Sequence, residues 1–340
     1  MISKSEKTSV LIVGGGALGS VFGWRLQLGG CSVSVVCRSN YEIVKNSGFQ
    51  IESGKFGNAV FSPDHVFSSF NAAIAECDFY YDYIMVCTKT LPNISNPADV
   101  LMGSPINQKT AIVLIQNGVD IEQYFHEAFP NNILISAIAY IDTKQTESGV
   151  IVHGEAISLQ FGFFIPEQTE TQRSTSSVST DISLLETLEK HLIAGNSGCK
   201  ILDNVSRDRW LKLVWNSSLN PISVLSGGSN TKEMLANPVL CDLIVAAMME
   251  TITIGEAVCK MPLSPTIASS DIPEYLLGSV RKRIKPVYPS MLQDYLNKRP
   301  MEHEVILHNA IKRADSVGVN APVLKTLYAL IIGAEKKYLN

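Results

Sequence analysis

The sequence has little charge and lacks several features that define other classes of protein. Only 18% of its 340 residues are charged, and 28 basic against 32 acidic side chains leave a net charge of -4. A nucleic-acid-binding surface usually requires a strongly basic face, so we expect no nucleic-acid partner. The opening MISKSEKTSV has no apolar signal-peptide core, and no apolar run reaches the roughly 20 residues of a bilayer span. We therefore expect no membrane partner.

The cysteine and histidine patterns also lack the spacing of disulfide frameworks and metal sites. The seven cysteines are odd in number and contain no CxxC pair, and the six histidines contain no HxxxH pair. Most cysteines lie in apolar surroundings, as buried free thiols do. We expect free thiols in a reducing compartment, the cytoplasm, and no metal.

What the sequence does contain is apolar patterning that changes near residue 204. Before that point, short apolar runs separated by helices or loops predict a mostly parallel sheet. The predicted strands are 10–13, 33–37, 83–87, 111–115 and 133–139, followed by an edge hairpin at 150–153 and 157–161. The polar segment 167–181 predicts a solvated loop. The expectation is an α/β Rossmann-like domain over residues 1–203.

After residue 204, helical periodicity replaces the strand-like runs. The predicted helices are 210–224, 238–259, 290–297, 300–317 and 321–338. We expect a second, all-α domain over residues 204–340.

A glycine motif follows the first predicted strand and opens a helix. Gly14, Gly16 and Gly19 form GxGxxG around Ala17 and Leu18. The first glycine allows the tight turn, the second lets the backbone approach a pyrophosphate, and the third lets the helix pack closely on the sheet. The motif predicts a dinucleotide site, with a ligand-free glycine turn as the alternative.

Basic residues follow two other strands. An NAD site carries Asp or Glu after the second strand, whereas this chain has Arg38, which can bind a 2′-phosphate. Lys89 follows the strand 83–87 and supplies a second positive charge, although a solvated lysine is an equal alternative. The cofactor prediction is NADP(H).

Three further polar residues follow a strand or begin a helix, and of these neither Ser290 nor Glu302 stands out from the sequence alone. Asn117 follows the strand 111–115, where it is either a turn residue or a group over the nicotinamide half of the cofactor. Ser290 with Gln293 matches a capping box. Glu302 follows Pro300, where it complements the dipole of a helix's first turn.

A polar stripe runs along the first helix of the second domain. Lys212, Asn216 and Asn220 recur every fourth residue amid Leu and Trp side chains. Desolvation by these neighbours should lower the lysine pKa and aid proton donation. The alternative is a solvent-exposed stripe, but two asparagines, which are poor helix formers, are unusual in one.

The chain resembles the ketopantoate reductase (2-dehydropantoate 2-reductase) family. The matching segments are GGGALGS, VCR, CTKT, QNGVD, KLVWNSSLNPIS, NTKEML, SMLQD and the glutamate of RPMEHEV. The resemblance implies a helical domain similar to that of 6-phosphogluconate dehydrogenase. It also implies that Lys212 is the general acid, that Glu302 binds a substrate hydroxyl, and that Arg38 and Lys89 take the 2′-phosphate.

The resemblance implies further substrate contacts. Ser290 would bind the substrate carboxylate, and Asn117 would touch both cofactor and substrate. The supporting asparagines would be Asn216, Asn220 and Asn230. The segments 167–181, 263–289 and 281–285 depart from the family pattern.

The family resemblance implies NADPH-dependent reduction of 2-dehydropantoate to (R)-pantoate, on the route to pantothenate and coenzyme A. Two alternatives stay open: reduction of another small-molecule 2-oxo acid, and a non-catalytic NADP-binding redox sensor. A sensor has no need of Lys212 and Glu302. The sequence leaves the oligomeric state open, a homodimer included.

Overall fold

A computed structural model describes residues 7–76, 80–166 and 175–339. The chain forms two compact units. The first comprises Met1–Lys89, Pro97–Gln116 and Glu122–Val205, and the second comprises Thr90–Asn96, Asn117–Ile121 and Ser206–Asn340. A single boundary near residue 203 therefore leaves out two short segments, one after each of two strands, that belong with the helical unit.

The first unit is built on a ten-stranded sheet. Its strands are β1 (Ser9–Val13), β2 (Ser32–Val36), β3 (Phe49–Ser53), β4 (Gly57–Phe61), β5 (His65–Phe67), β6 (Tyr83–Val86), β7 (Ala111–Leu114), β8 (Leu134–Glu147), β9 (Val150–Phe163) and β10 (Gly198–Ile201). The strand order is β4-β3-β9-β8-β7-β6-β1-β2-β5, and β10 pairs with β9.

The five predicted strands form the centre of this sheet. Strands β8, β7, β6, β1 and β2 lie side by side and are parallel. All residues of β1, β6 and β7 are buried, as expected for parallel strands covered on both faces. The prediction of an α/β Rossmann-like unit is confirmed.

The predicted edge hairpin is wrong. Residues 150–163 form one continuous strand, β9, inside the sheet. It runs antiparallel to β8 and pairs in parallel with β3 and β10 on its other side. Gly154 and Glu155 remain within this strand, at an irregularity in its pairing with β8 between Ile141 and Thr143.

Helices of the first unit are α1 (Ala17–Leu28), α2 (Tyr41–Ser47), α3 (Phe70–Glu76), α4 (Glu122–Ala128) and α5 (Thr175–Ala194), with a 3₁₀ turn at Pro97–Leu101. The loop predicted over 167–181 is wrong from residue 175 onward, where α5 begins. Residues 167–174 lie outside the described part of the chain. Leu185, Leu188 and Leu192 of α5 are buried in the core, and this packing explains a helix that the polar N-terminal half of the segment did not suggest.

The second unit is helical in its described residues. Its helices are α6 (Val205–Leu225), α7 (Thr231–Ala236), α8 (Pro238–Cys259), α9 (Ile272–Arg281), α10 (Ser290–Leu296), α11 (Asn309–Ser316) and α12 (Pro322–Glu335), with a 3₁₀ turn at Ser269–Asp271 and a π-helical turn at Glu304–His308. The predicted helix 300–317 begins only at residue 303, so Glu302 precedes it.

Helix α8 is mostly apolar, although the sequence analysis expected no segment able to span a membrane. Its 22 residues are long and apolar enough to cross a membrane by length and composition. A single such helix is weak evidence, since core helices of water-soluble proteins pass the same test. Ile244, Met248 and Ile252 lie on its buried face.

Candidate active site

The glycine motif forms a tight turn between β1 and α1. Gly14 has φ +105°, a conformation that side chains with a Cβ rarely adopt, and its N–H donates to the Val36 carbonyl at 3.1 Å. A Cβ on Gly19 would collide with the Gly14 carbonyl oxygen. These two glycines are therefore required by the turn and by the packing of α1 on β1.

Gly16 differs, because a Cβ there would meet no heavy atom within 4 Å. The packing of the chain therefore does not require glycine at position 16. Gly16 is the N-cap of α1, and Ala17 and Leu18 in the first turn are partly exposed. Free N–H groups at a helix N-terminus with open space beside a glycine fit the pyrophosphate of a dinucleotide.

Asn40, which the sequence analysis did not single out, supports this loop. Its Nδ2 donates to the Gly15 carbonyl at 2.7 Å, and its Oδ1 accepts from Gln145 Nε2 at 3.1 Å. Asn40 is 3% exposed. An asparagine two residues after a basic one carries no signal by itself, because its partners become visible only in the folded chain.

The two predicted phosphate-binding cations occupy strand ends. Arg38 lies two residues after β2, and Lys89 lies three residues after β6; both are exposed. No carboxylate follows β2 directly, where the sequence reads Cys37, Arg38, Ser39 and Asn40. This end of the first unit therefore carries positive charge where NAD-binding proteins carry an acid.

In the second unit, the polar stripe of α6 faces inward. Asn216 is 7% exposed, Asn220 is 1% exposed, and Lys212 is partly buried. The Asn220 Nδ2 has no hydrogen-bond partner within the described chain. A solvent-exposed stripe is excluded, and a buried amide with an unused donor fits a ligand-binding surface.

Asn117 links Lys212 to Glu302. Lys212 Nζ donates to Asn117 Oδ1 at 2.8 Å, and Asn117 Nδ2 donates to Glu302 Oε2 at 3.5 Å. The backbone N–H of Thr90 donates to the other Glu302 oxygen at 3.0 Å. Residues far apart in the sequence therefore form one continuous hydrogen-bonded network. The sequence analysis named Lys212, Asn117 and Glu302 singly and did not predict the contacts between them.

The segment that carries Asn117 is fixed by buried or bidentate contacts from the helices. Its three holding contacts are Arg209 Nη1 to the Gly118 carbonyl at 3.0 Å, Asn309 Nδ2 to the Val119 carbonyl at 2.8 Å, and Arg313 to both Asp120 carboxylate oxygens at 2.8 Å. Asp120 itself has φ +57°, a strained value for a residue with a Cβ. The Asn-Gly dipeptide is thus more than a turn, because its position is set by side chains about 90 to 190 residues away.

The environment of Lys212 favours its neutral form. The pKa of Lys212 is lowered to about 7, chiefly by burial and then by the nearby Arg209 guanidinium, while Glu302 acts in the opposite direction. The predicted lowering of the lysine pKa is confirmed. An ammonium that titrates near neutral pH can donate a proton during a reaction and recover it from water.

Two predicted substrate residues lie at the starts of helices α7 and α10. Asn230 caps α7: its Oδ1 accepts from Lys232 and Glu233 N–H at 2.9 and 3.2 Å, and its own N–H donates to Glu233. Ser290 is exposed and is the first residue of α10. The capping box predicted for Ser290 is wrong, because Pro289 occupies the N-cap and no side chain caps this helix. Their segments meet, since Thr231 N–H donates to the Val287 carbonyl at 3.0 Å.

Comparisons with known proteins show which family the chain is similar to. A family model described as ketopantoate reductase matches residues 10–165, and a model of the family's C-terminal part matches residues 204–335. The crystal structure of 2-dehydropantoate 2-reductase from Methylococcus capsulatus is 32% identical, covers 98% of both chains and has a TM-score of 0.81.

Two other similarities are informative. A ternary structure of D-mandelate dehydrogenase with NADH and anilino(oxo)acetate has a TM-score of 0.80 and covers 97% of this chain and 99% of that one. At 19% identity it shows the fold alone. The Meiotically up-regulated gene 72 protein of Schizosaccharomyces pombe is 27% identical over 98% of this chain, which spans 58% of that protein's length.

The two family models together cover most of the chain, and the structure from Methylococcus capsulatus matches it from end to end. The chain belongs to the ketopantoate reductase family and is an oxidoreductase of that type.

Proposed function

We propose that the protein reduces 2-dehydropantoate to (R)-pantoate with NADPH, a step toward pantothenate and coenzyme A. The observation that carries this proposal is the chain from Lys212 through Asn117 to Glu302, with the pKa of Lys212 near 7. A protonated lysine and a fixed carboxylate suit a substrate with both a keto oxygen and a hydroxyl.

The chemistry requires one hydride and one proton. A bound NADPH would supply the hydride to the keto carbon, and the carbonyl oxygen would then carry the negative charge of an alkoxide. Lys212 donates a hydrogen bond to that oxygen and then its proton, leaving a hydroxy acid and a neutral amine. Asn117 holds Lys212 Nζ at 2.8 Å, so the donor is oriented before substrate arrives.

Glu302 supplies the second point of recognition. Its carboxylate is 7% exposed and already accepts from Thr90 and Asn117. An ionised carboxylate has about four acceptor sites, so Glu302 can also accept from a substrate hydroxyl. Asn216, Asn220, Asn230 and Ser290 complete the proposed substrate site.

NADPH preference rests on Arg38 and Lys89. A guanidinium at the end of β2 can bind a 2′-phosphate through paired hydrogen bonds, and the lysine adds a second charge. The turn at Gly14, Gly16 and Gly19, with Ala17 and Leu18, would hold the pyrophosphate.

For location we propose the cytoplasm. The six cysteines within the described residues are free, and burial raises the pKa of Cys31 and Cys87 to about 12. These thiols stay protonated and act as small apolar side chains in a reducing compartment.

The test is turnover of NADPH and NADH with a panel of 2-oxo acids. We expect the highest kcat/KM with 2-dehydropantoate and NADPH. A higher value with 2-oxo acids that lack the hydroxyl would replace the substrate but keep the chemistry. Binding of NADPH without turnover of any 2-oxo acid would favour the redox-sensor alternative.

A further inference from the structure

Glu302 is held in an irregular stretch of backbone. Residues 301 and 302 are outside regular structure, and the helical turn begins at residue 303 and continues as the π-helical turn at Glu304–His308. The Glu302 carbonyl accepts from the Ile306 N–H at 3.2 Å, but Glu302 itself precedes the helical turn. Thr90 and Asn117 hold the Glu302 carboxylate directly, and the backbone that carries it must be held as well, because the site requires that carboxylate at one place.

The group that does so is the side chain of Glu335, the last residue of α12. Its Oε1 accepts from the Met301 N–H at 2.6 Å, and its Oε2 lies 2.8 Å from His303 Nε2. One carboxylate thus ties the residues on both sides of Glu302. Glu335 is 7% exposed, and His303 is 3% exposed.

Glu335 occupies a position where a carboxylate is unfavourable for the helix that carries it. A negative charge at a helix C-terminus opposes the helix dipole, and burial removes it from water. The other buried residues of α12, Leu324, Leu327 and Ile331, are apolar. The two hydrogen bonds to the segment around Glu302 are what offsets these costs.

We propose that Glu335 is a positioning residue, which fixes Glu302 for the substrate hydroxyl by holding Met301 and His303. This inference rests on the proposed function. The Glu335 side chain bonds to Met301 and His303, and it acts through the backbone that presents Glu302 to Thr90 and Asn117.

The experiment compares three variants of the full chain. Glu335→Met keeps the length of the side chain and removes both acceptors. Glu335→Gln keeps an acceptor for Met301, and its amide can donate to His303 Nε2 when that atom carries no proton. Tyr338→Phe is the matched control at the same end of the chain, since the Tyr338 hydroxyl donates to the Arg299 carbonyl at 3.0 Å and not to the residues beside Glu302.

We expect Glu335→Met to raise KM for 2-dehydropantoate about tenfold or more, because a charge-assisted hydrogen bond to the hydroxyl is misplaced. KM for a 2-oxo acid without that hydroxyl, and kcat for both, should change less than about threefold. Glu335→Gln should restore most of the affinity, and Tyr338→Phe should leave KM unchanged. Equal losses on both substrates, or a Tyr338→Phe effect as large as that of Glu335→Met, would show a structural role only.

A second readout does not depend on the substrate. Glu302 raises the pKa of Lys212, while Arg209 lowers it. Displacing the Glu302 carboxylate should therefore lower the pKa of Lys212, measured by an NMR titration of lysine-labelled protein with Lys212→Met to assign the signal. An unchanged titration in Glu335→Met would overturn the proposal even if the enzyme reduces another 2-oxo acid. If Glu335→Met does not fold, Glu335→Asp, which shortens the side chain by one methylene, should shift both KM and the titration in the same directions.

Discussion

The two units carry sites that are built in different ways. In the first unit the dinucleotide turn is made of backbone: glycines, N–H groups and a helix N-terminus. In the second unit the proposed reacting groups are side chains, Lys212, Asn117 and Glu302, joined by hydrogen bonds between distant segments. A backbone site follows from local spacing, so a motif reveals it. A side-chain site depends on tertiary contacts, so its members can be named singly before their geometry is known.

The largest expected effect concerns the side-chain site. Lys212→Ala removes both the hydrogen-bond donor and the proton, and general acid catalysis contributes about 100- to 10,000-fold. We expect kcat to fall within that range while the Kd of NADPH stays within about threefold, as measured by steady-state kinetics and calorimetry. Lys312→Ala, an exposed lysine of the same unit, is the control. Near-normal turnover in Lys212→Ala would make the stripe structural.

The second largest expected effect concerns Arg38, the proposed 2′-phosphate ligand of the first unit. Arg38→Asp replaces the proposed 2′-phosphate ligand by a repelling carboxylate. We expect NADPH to bind about 10- to 100-fold more weakly, as for the loss of charge-assisted hydrogen bonds, and the preference over NADH to narrow or reverse. Calorimetry with both cofactors measures this. Equal affinity of the unmodified protein for NADPH and NADH contradicts the assignment.

Local patterns in the sequence predicted part of the fold, whereas strands without such a pattern were missed. Strands β1, β2, β6, β7 and β8 were predicted because each is a continuous apolar run, typical of parallel strands buried on both faces. Strands β3, β4, β5 and β10 were missed; β3 reads Phe49 to Ser53 with alternating burial, and β4 is mostly exposed. β3 pairs with β9, a partner far along the chain, and β4 pairs in turn with β3.

The site shows the same limit. The three glycines were predicted with their roles, and two of those roles, at Gly14 and Gly19, are visible in the turn. Asn40, Thr90, Arg209 and Glu335 were not predicted, because each acts through a backbone atom of a remote segment or through a neighbour's charge. The inward orientation of Asn216 and Asn220 also needed the structure.

A third prediction separates two glycines of one motif. Gly16→Ala places a Cβ in open space, so the Tm should stay within about two degrees, as for surface substitutions. NADPH affinity should fall roughly tenfold or more, because the Cβ enters the proposed cofactor site. Gly19→Ala should instead lower the Tm, since its Cβ meets the Gly14 carbonyl oxygen. Thermal melts and calorimetry of both variants test this. Unchanged cofactor affinity in Gly16→Ala would place the pyrophosphate elsewhere.

The smallest effect concerns the charge beside Lys212. The Arg209 guanidinium lowers the pKa of Lys212, so Arg209→Met should raise that pKa and move the alkaline fall in activity to higher pH. Arg209→Lys keeps the charge and should leave the fall where it is in the unmodified protein. A shift of the same size in both variants would trace the effect to the lost hydrogen bond with the Gly118 carbonyl.

The most direct test of the account is the pH dependence of kcat/KM for 2-dehydropantoate reduction at saturating NADPH. A lysine whose pKa is lowered to about 7 is protonated below that pH and neutral above it, and only the protonated form can donate. The account predicts a plateau at low pH and a fall of about tenfold per pH unit above pH 7. The residual activity of Lys212→Met should lack this fall. A profile that stays flat from pH 6 to pH 9, or one that Lys212→Met leaves unchanged, would contradict the central claim that Lys212 is the general acid.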